Sequence, residues 1–64
     1  MYKKISEKIQ YYRYIKDVSL DKLSSDTGLN TSYLRSIEKC TKKPSLKTIE
    51  KICKALEINY KDLF

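Results

Sequence analysis

The sequence predicts an all-α fold, a compact five-helix bundle that forms one domain over residues 1–64, and three observations carry that prediction. The first is composition: one Gly, one Pro and no Trp leave little material for hairpins, whereas the abundant Lys, Leu, Ile and Glu suit helices. The second is a repeated spacing in which an apolar residue, then Ser or Asn, is followed four residues on by leucine. It occurs at Val18-Ser19 before Leu23, Leu29-Asn30 before Leu34, and Ile58-Asn59 before Leu63. Each copy matches an N-cap with the apolar contact of a hydrophobic staple, so each marks a helix start. The third is period: Leu46, Ile49, Ile52, Cys53 and Leu56 recur as one helical stripe. With 64 residues at 41% hydrophobic content, the chain supports a single small core and no large buried cavity.

Helix 1 is expected over about Lys3 to Lys16, with Ile5, Ile9 and Tyr12 on one face and Tyr2 extending it. Helix 2, about 20–27, buries Leu23 and ends at Gly28, which tolerates the left-handed conformation of a helix C-terminus. Helix 3 follows at once, over about 31–39. Pro44-Ser45 starts helix 4, since Pro cannot continue a preceding helix and Ser caps the next. Helix 4 is expected over about Leu46 to Leu56 and is the most amphipathic segment. A last short turn, Tyr60 to Phe64, provides the fifth helix.

Charge and residue inventory narrow the function. Fourteen Lys and Arg against eight Asp and Glu give a formal net charge of +6, which points to a polyanionic partner. Sign alone also fits an acidic protein or an anionic membrane surface. Two cysteines, Cys40 and Cys53, without His or a C-x-x-C spacing, offer no ordinary metal site, and no cofactor is expected. Their spacing allows a disulfide, but without a signal peptide reduced thiols in the cytoplasm are the expectation. No apolar run approaches the ~20 residues of a membrane span. An enzyme is disfavoured, because no acid-base or nucleophile constellation can be drawn.

Helix 2, the turn at Gly28 and helix 3 make a helix-turn-helix, in which one helix lies across a duplex and the second enters its major groove. At ~100° per residue, Tyr33, Leu34, Ile37 and Glu38 share one arc of helix 3, and Thr31, Ser32, Arg35, Ser36 and Lys39 share the other. The second arc is small, polar and cationic. Its hydroxyls can donate or accept at base edges, and Arg can fork onto guanine. Tyr11 and Tyr14 sit on the outer side of helix 1 with Ile15 at its flank, an apolar set that can mark a contact surface.

From "ISEKIQYYR" through "VSLDKLSSDTGLNTSYLRSIEKCTKKPSLKTIEKICKALEINYKDLF", essentially the whole chain resembles the Cro/repressor (Xre) family of helix-turn-helix regulators of phages and bacteria, with its lambda-repressor-like fold. The resemblance implies base contacts by Thr31, Ser32 and Ser36, and by Arg35 if it does not take a phosphate instead. It implies phosphate contacts by Lys39, Lys42 and Lys43 in the following loop and around Ser45 to Lys47 at the start of helix 4, where backbone N–H groups and the helix dipole favour an anion. It also implies an Arg13–Glu38 ion pair between helices 1 and 3, and Glu38 on the inward arc of helix 3 needs such a partner. Three positions depart from the family. Leu20 stands where a Gln usually touches the DNA backbone, and Asp17 and Cys40 replace glycines that end helices 1 and 3. Because Cys adopts the left-handed region poorly, the turn after helix 3 is expected to differ.

The leading expectation is a sequence-specific transcriptional regulator that acts as a homodimer on a pseudo-palindromic operator in double-stranded DNA, either phage-repressor-like or restriction-modification controller-like. Leu56, Tyr60, Leu63 and Phe64 are the expected dimer contact. The alternative is a protein–protein interaction module on the same fold, antitoxin-like or anti-repressor, which Leu20 favours and the cationic loop disfavours.

Overall fold

Residues 2–64 are described by the computed structural model, with side chains from Lys3 onward; the expected role of Tyr2 lies outside the described residues. The helices are α1 (Tyr2–Ile15), α2 (Leu20–Thr27), α3 (Thr31–Glu38) and α4 (Leu46–Leu56), followed by a 3-10 turn at Tyr60–Leu63. Four helices and a turn thus replace the expected five helices. The last segment is only four residues long, and its Asp62 N–H reaches back three residues to the Asn59 carbonyl at 2.9 Å. That tighter pattern is the one short helical pieces adopt.

The staple residues explain why the helices pack as they do. Leu23, Leu34 and Leu63 are each at most 1% exposed, while Val18, Leu29 and Ile58 pack against the core from just outside their helices. Three of the caps close with a side-chain bond: Ser19 accepts from the Lys22 N–H, Asn30 from Ser32 and Ser45 from Thr48. The core joins Ile5 and Ile9 of α1, Leu23 of α2, Leu34 and Ile37 of α3, and Ile49, Ile52, Cys53 and Leu56 of α4 with Leu63. Leu46 departs from its expected stripe and is 64% exposed. At ~100° per residue it lies about 70° from the centre of the four buried residues of α4, and in the first turn it overhangs the end of the core.

Helix ends use the left-handed conformation four times, and glycine only once. Gly28 has φ 75, whereas Asp17, Cys40 and Glu57 have φ 55, 62 and 56. At all three non-glycine positions the chain makes a Schellman pair of bonds. After α3, for instance, Cys40 N–H donates to the Ile37 carbonyl and Thr41 N–H to the Ser36 carbonyl. The expectation that Cys40 would alter this turn is therefore corrected: the paired bonds and the staple-like contact that follows hold a left-handed cysteine in place. Both cysteines are free, Cys40 exposed and Cys53 buried. Burial, and secondarily the Asp62 carboxylate, push the Cys53 thiol above its ordinary pKa.

Candidate nucleic-acid interface

The angle between α2 and α3 is set by a turn with few degrees of freedom. Gly28 N–H closes α2 on the Ser24 carbonyl at 2.8 Å, the Ser24 hydroxyl donates to the Leu29 carbonyl, and Leu29 N–H donates to the Thr27 hydroxyl at 3.2 Å. Asn30 then caps α3 at once. The short polar side chains of α2 thus hold the start of α3, which leaves its outward arc independent of the core.

That outward arc is open. Ser32 and Arg35 are exposed, Thr31 and Ser36 half-buried, while Leu34 and Ile37 on the opposite arc are buried. Arg35 has no hydrogen-bond or ion-pair partner among the described residues. The Ser36 hydroxyl donates to the Ser32 carbonyl at 2.9 Å, so its lone pairs are what it presents outward. Lys39 is the C-cap of α3, and Lys42, Lys43 and Lys47 are exposed along the segment that follows. Ser45 is occupied otherwise. Its oxygen accepts from Thr48 N–H at 3.1 Å and its hydroxyl donates to the Thr48 side chain at 3.0 Å. An anion at the start of α4 would therefore meet the N–H groups of Leu46 and Lys47 and not the Ser45 hydroxyl.

α1 anchors the far end of α3. Arg13 meets Glu38 in a two-pronged pair, Nε to Oε2 at 2.8 Å and Nη2 to Oε1 at 3.2 Å, and its remaining nitrogen donates to the Val18 carbonyl. One turn earlier Gln10 donates to the Glu38 carbonyl at 2.8 Å, and one turn before that Ser6, 1% exposed, donates to the Ile37 carbonyl at 2.6 Å. Ser6, Gln10 and Arg13 form a polar ladder at i, i+4 and i+7, one position on from the apolar stripe Ile5, Ile9 and Tyr12. Sequence reasoning found only its last rung. The missed signal is this polar stripe shadowing an apolar one.

The expected dimer residues separate. Leu56 and Leu63 are each 1% exposed within the domain, so they have no surface to give a partner, and that part of the expectation is corrected. Their spacing marked them as apolar, but the core they serve is the domain's own. Tyr60 and Phe64 are exposed, with rings stacked at 4.9 Å between centroids. A shallow groove of about 530 Å³ lies beside Phe64, lined by Ile5, Leu63 and Tyr11 with Lys4, Glu7 and Lys8. Tyr11, Tyr14 and Ile15 are exposed on the outside of α1. Among the described residues, no cluster of His, Cys, Asp and Glu could hold a metal ion, and no helix is long and apolar enough to cross a membrane.

Known proteins share this geometry. Residues 8–64 match the family described as the Cro/C1-type HTH DNA-binding domain. The control protein C.BamHI of Bacillus amyloliquefaciens is 40% identical over 58 residues, which span 89% of this chain and 72% of that protein. The crystal structure of the restriction-modification controller protein C.AhdI from Aeromonas hydrophila superposes with a TM-score of 0.93 at 30% identity, over 98% of this chain and 96% of that one. A helix-turn-helix with a buried inner arc and an open polar outer arc, matched along nearly its whole length by such proteins, places this chain in the Cro/C1-type helix-turn-helix DNA-binding family of transcriptional regulators.

Proposed function

We propose that the chain reads a specific DNA sequence through α3 in the major groove and acts as a homodimer on a pseudo-palindromic operator, in the cytoplasm, to control transcription in a restriction-modification system. The observation that carries this reading is the open arc of α3, where Thr31, Ser32, Arg35 and Ser36 face outward from a helix whose other arc is buried. Small hydroxyls and a guanidinium without a partner suit base edges. Lys39, Lys42, Lys43 and Lys47 then follow the phosphates, with the Leu46 and Lys47 N–H groups at the start of α4. The controller names of the two relatives support the restriction-modification assignment. Tyr60 and Phe64 are the residues that remain for the dimer contact.

Selection of bound sites from random duplex DNA tests the reading. Enrichment of a palindrome is the expected result, and a pool that stays random would favour the protein-interaction module instead. On the selected duplex, Thr31→Ala, Ser32→Ala and Ser36→Ala should each cost ~1–3 kcal/mol of discrimination, whereas Lys42→Ala and Lys43→Ala should weaken selected and scrambled duplexes alike and flatten the salt slope by about one. Full parental discrimination in all three hydroxyl variants would remove α3 as the reading element.

A further inference from the structure

The two elements assigned to DNA, α3 and the start of α4, do not touch through their backbones. No Cα of α3 lies within 8 Å of a Cα of α4, although α2 approaches both. A long side chain spans the gap. Tyr33, on the inner arc of α3 and partly buried against the core, brings its hydroxyl to 3.3 Å from the Thr48 Oγ1 of α4. Thr48 is itself only 7% exposed, and its side chain and N–H are both bonded to Ser45, the N-cap of α4. Three hydroxyls thus form a chain from the reading helix to the cap that sets the start of α4.

We infer that Tyr33 is a positioning residue for DNA binding: through Thr48 and Ser45 its hydroxyl holds the cationic segment Lys42–Lys47 and the first turn of α4 in register with α3. The inference rests on the proposed groove reading and adds a residue that touches the core and not the duplex. Chemistry decides why a tyrosine serves here. A phenylalanine would fill the same space, yet only the phenol oxygen reaches a buried threonine that already accepts from Ser45. Buried hydroxyl chains of this kind are stiff because each member lacks an alternative partner. If the two halves of the surface were free to shift, an α3 seated on bases would leave the lysines off the phosphates, and misplacement lowers affinity without removing a contact group.

The test compares Tyr33→Phe, Thr48→Val and Thr48→Ser with the parent. Binding is measured on the selected duplex and on a scrambled one, well below the unfolding midpoint of every variant, alongside amide hydrogen exchange of Leu46, Lys47 and Thr48 in the free protein. Tyr33→Phe and Thr48→Val are each expected to weaken both duplexes by a similar factor, roughly threefold to tenfold, and to speed exchange at those amides. The double variant should be no weaker than the worse single one, because both break the same chain. Thr48→Ser, which keeps the hydroxyl, should restore binding. Parental affinity in Tyr33→Phe overturns the inference, and so does a loss confined to the selected duplex, which would place the phenol on DNA. A parent that binds neither duplex instead overturns the groove reading itself, and the amide exchange then still reports whether Tyr33 couples the helices.

Discussion

Cys40 shows how a single residue can be held against its preference. Its φ of 62 costs a non-glycine residue about 1–2 kcal/mol, part of which a glycine would return as lost chain entropy. Cys40→Gly should therefore raise stability by about 0.5–1 kcal/mol, read as a higher denaturant midpoint at unchanged slope. Gly28→Ala should do the reverse. An added Cβ there meets nothing within 4 Å, so a loss of ~1–2 kcal/mol would be purely a backbone effect of φ 75. Cys53 makes a separate, pH-dependent contribution. Burial raises its pKa above the ordinary 9.0, so the unfolded chain loses the thiol proton first as pH rises. Stability from this group is full below pH 9 and falls as pH climbs from there through the raised folded value. Unfolding measured from pH 7 to above pH 10, in the parent against Cys53→Ala, should show a downward divergence of the parent only in the alkaline limb; parallel curves would contradict it.

Helices are held together here by unequal devices. The Arg13–Glu38 pair is largely buried, at 19% and 9% side-chain exposure, whereas Lys22–Asp26 lies on the surface of α2. Glu38→Ala should cost ~3–5 kcal/mol because it strands a desolvated guanidinium, and Asp26→Ala should fall within the ~0.3–0.5 kcal/mol of an exposed i,i+4 pair. Equal shifts in thermal midpoint would reject that ranking. The same contrast explains what the sequence discloses. Helix starts at Ser19, Asn30 and Ser45 are readable because a cap and its staple lie within five residues of one another. The end of α4 is not, since Glu57 is a good helix former, and only the Schellman bonds of Ile58 and Glu57 to Cys53 and Lys54 turn it left-handed. Leu56 and Leu63 could be recognised as apolar, but which side of the domain they face depends on packing among α1, α4 and the 3-10 turn. Ser6, Gln10, Tyr33 and Thr48 act across 15 to 31 residues of chain, and no local pattern carries such a distance.

At the scale of the whole molecule, size constrains how the proposed dimer meets DNA. The domain measures 26 × 22 × 20 Å, so two copies side by side bring two α3 helices to about the ~34 Å that separates major grooves on one face of a duplex. Footprinting of the selected site should show two half-sites one helical turn apart, and Tyr60→Ala with Phe64→Ala should reduce occupancy to a weak single half-site while leaving the fold intact. A double variant that still covers both halves with parental cooperativity would put the contact elsewhere. The polar ladder of α1 has a consequence for the field this small body projects. A helix carries roughly half a negative charge at its carboxyl end, and on an eight-residue helix that end is never far from whatever its outer arc meets. Ser6, Gln10 and Arg13 donate into that end from behind, so its dipole is answered inside the domain. A phosphate strand passing α3 would then face Lys39 and the cations beyond it, and not the bare carbonyls of the helix.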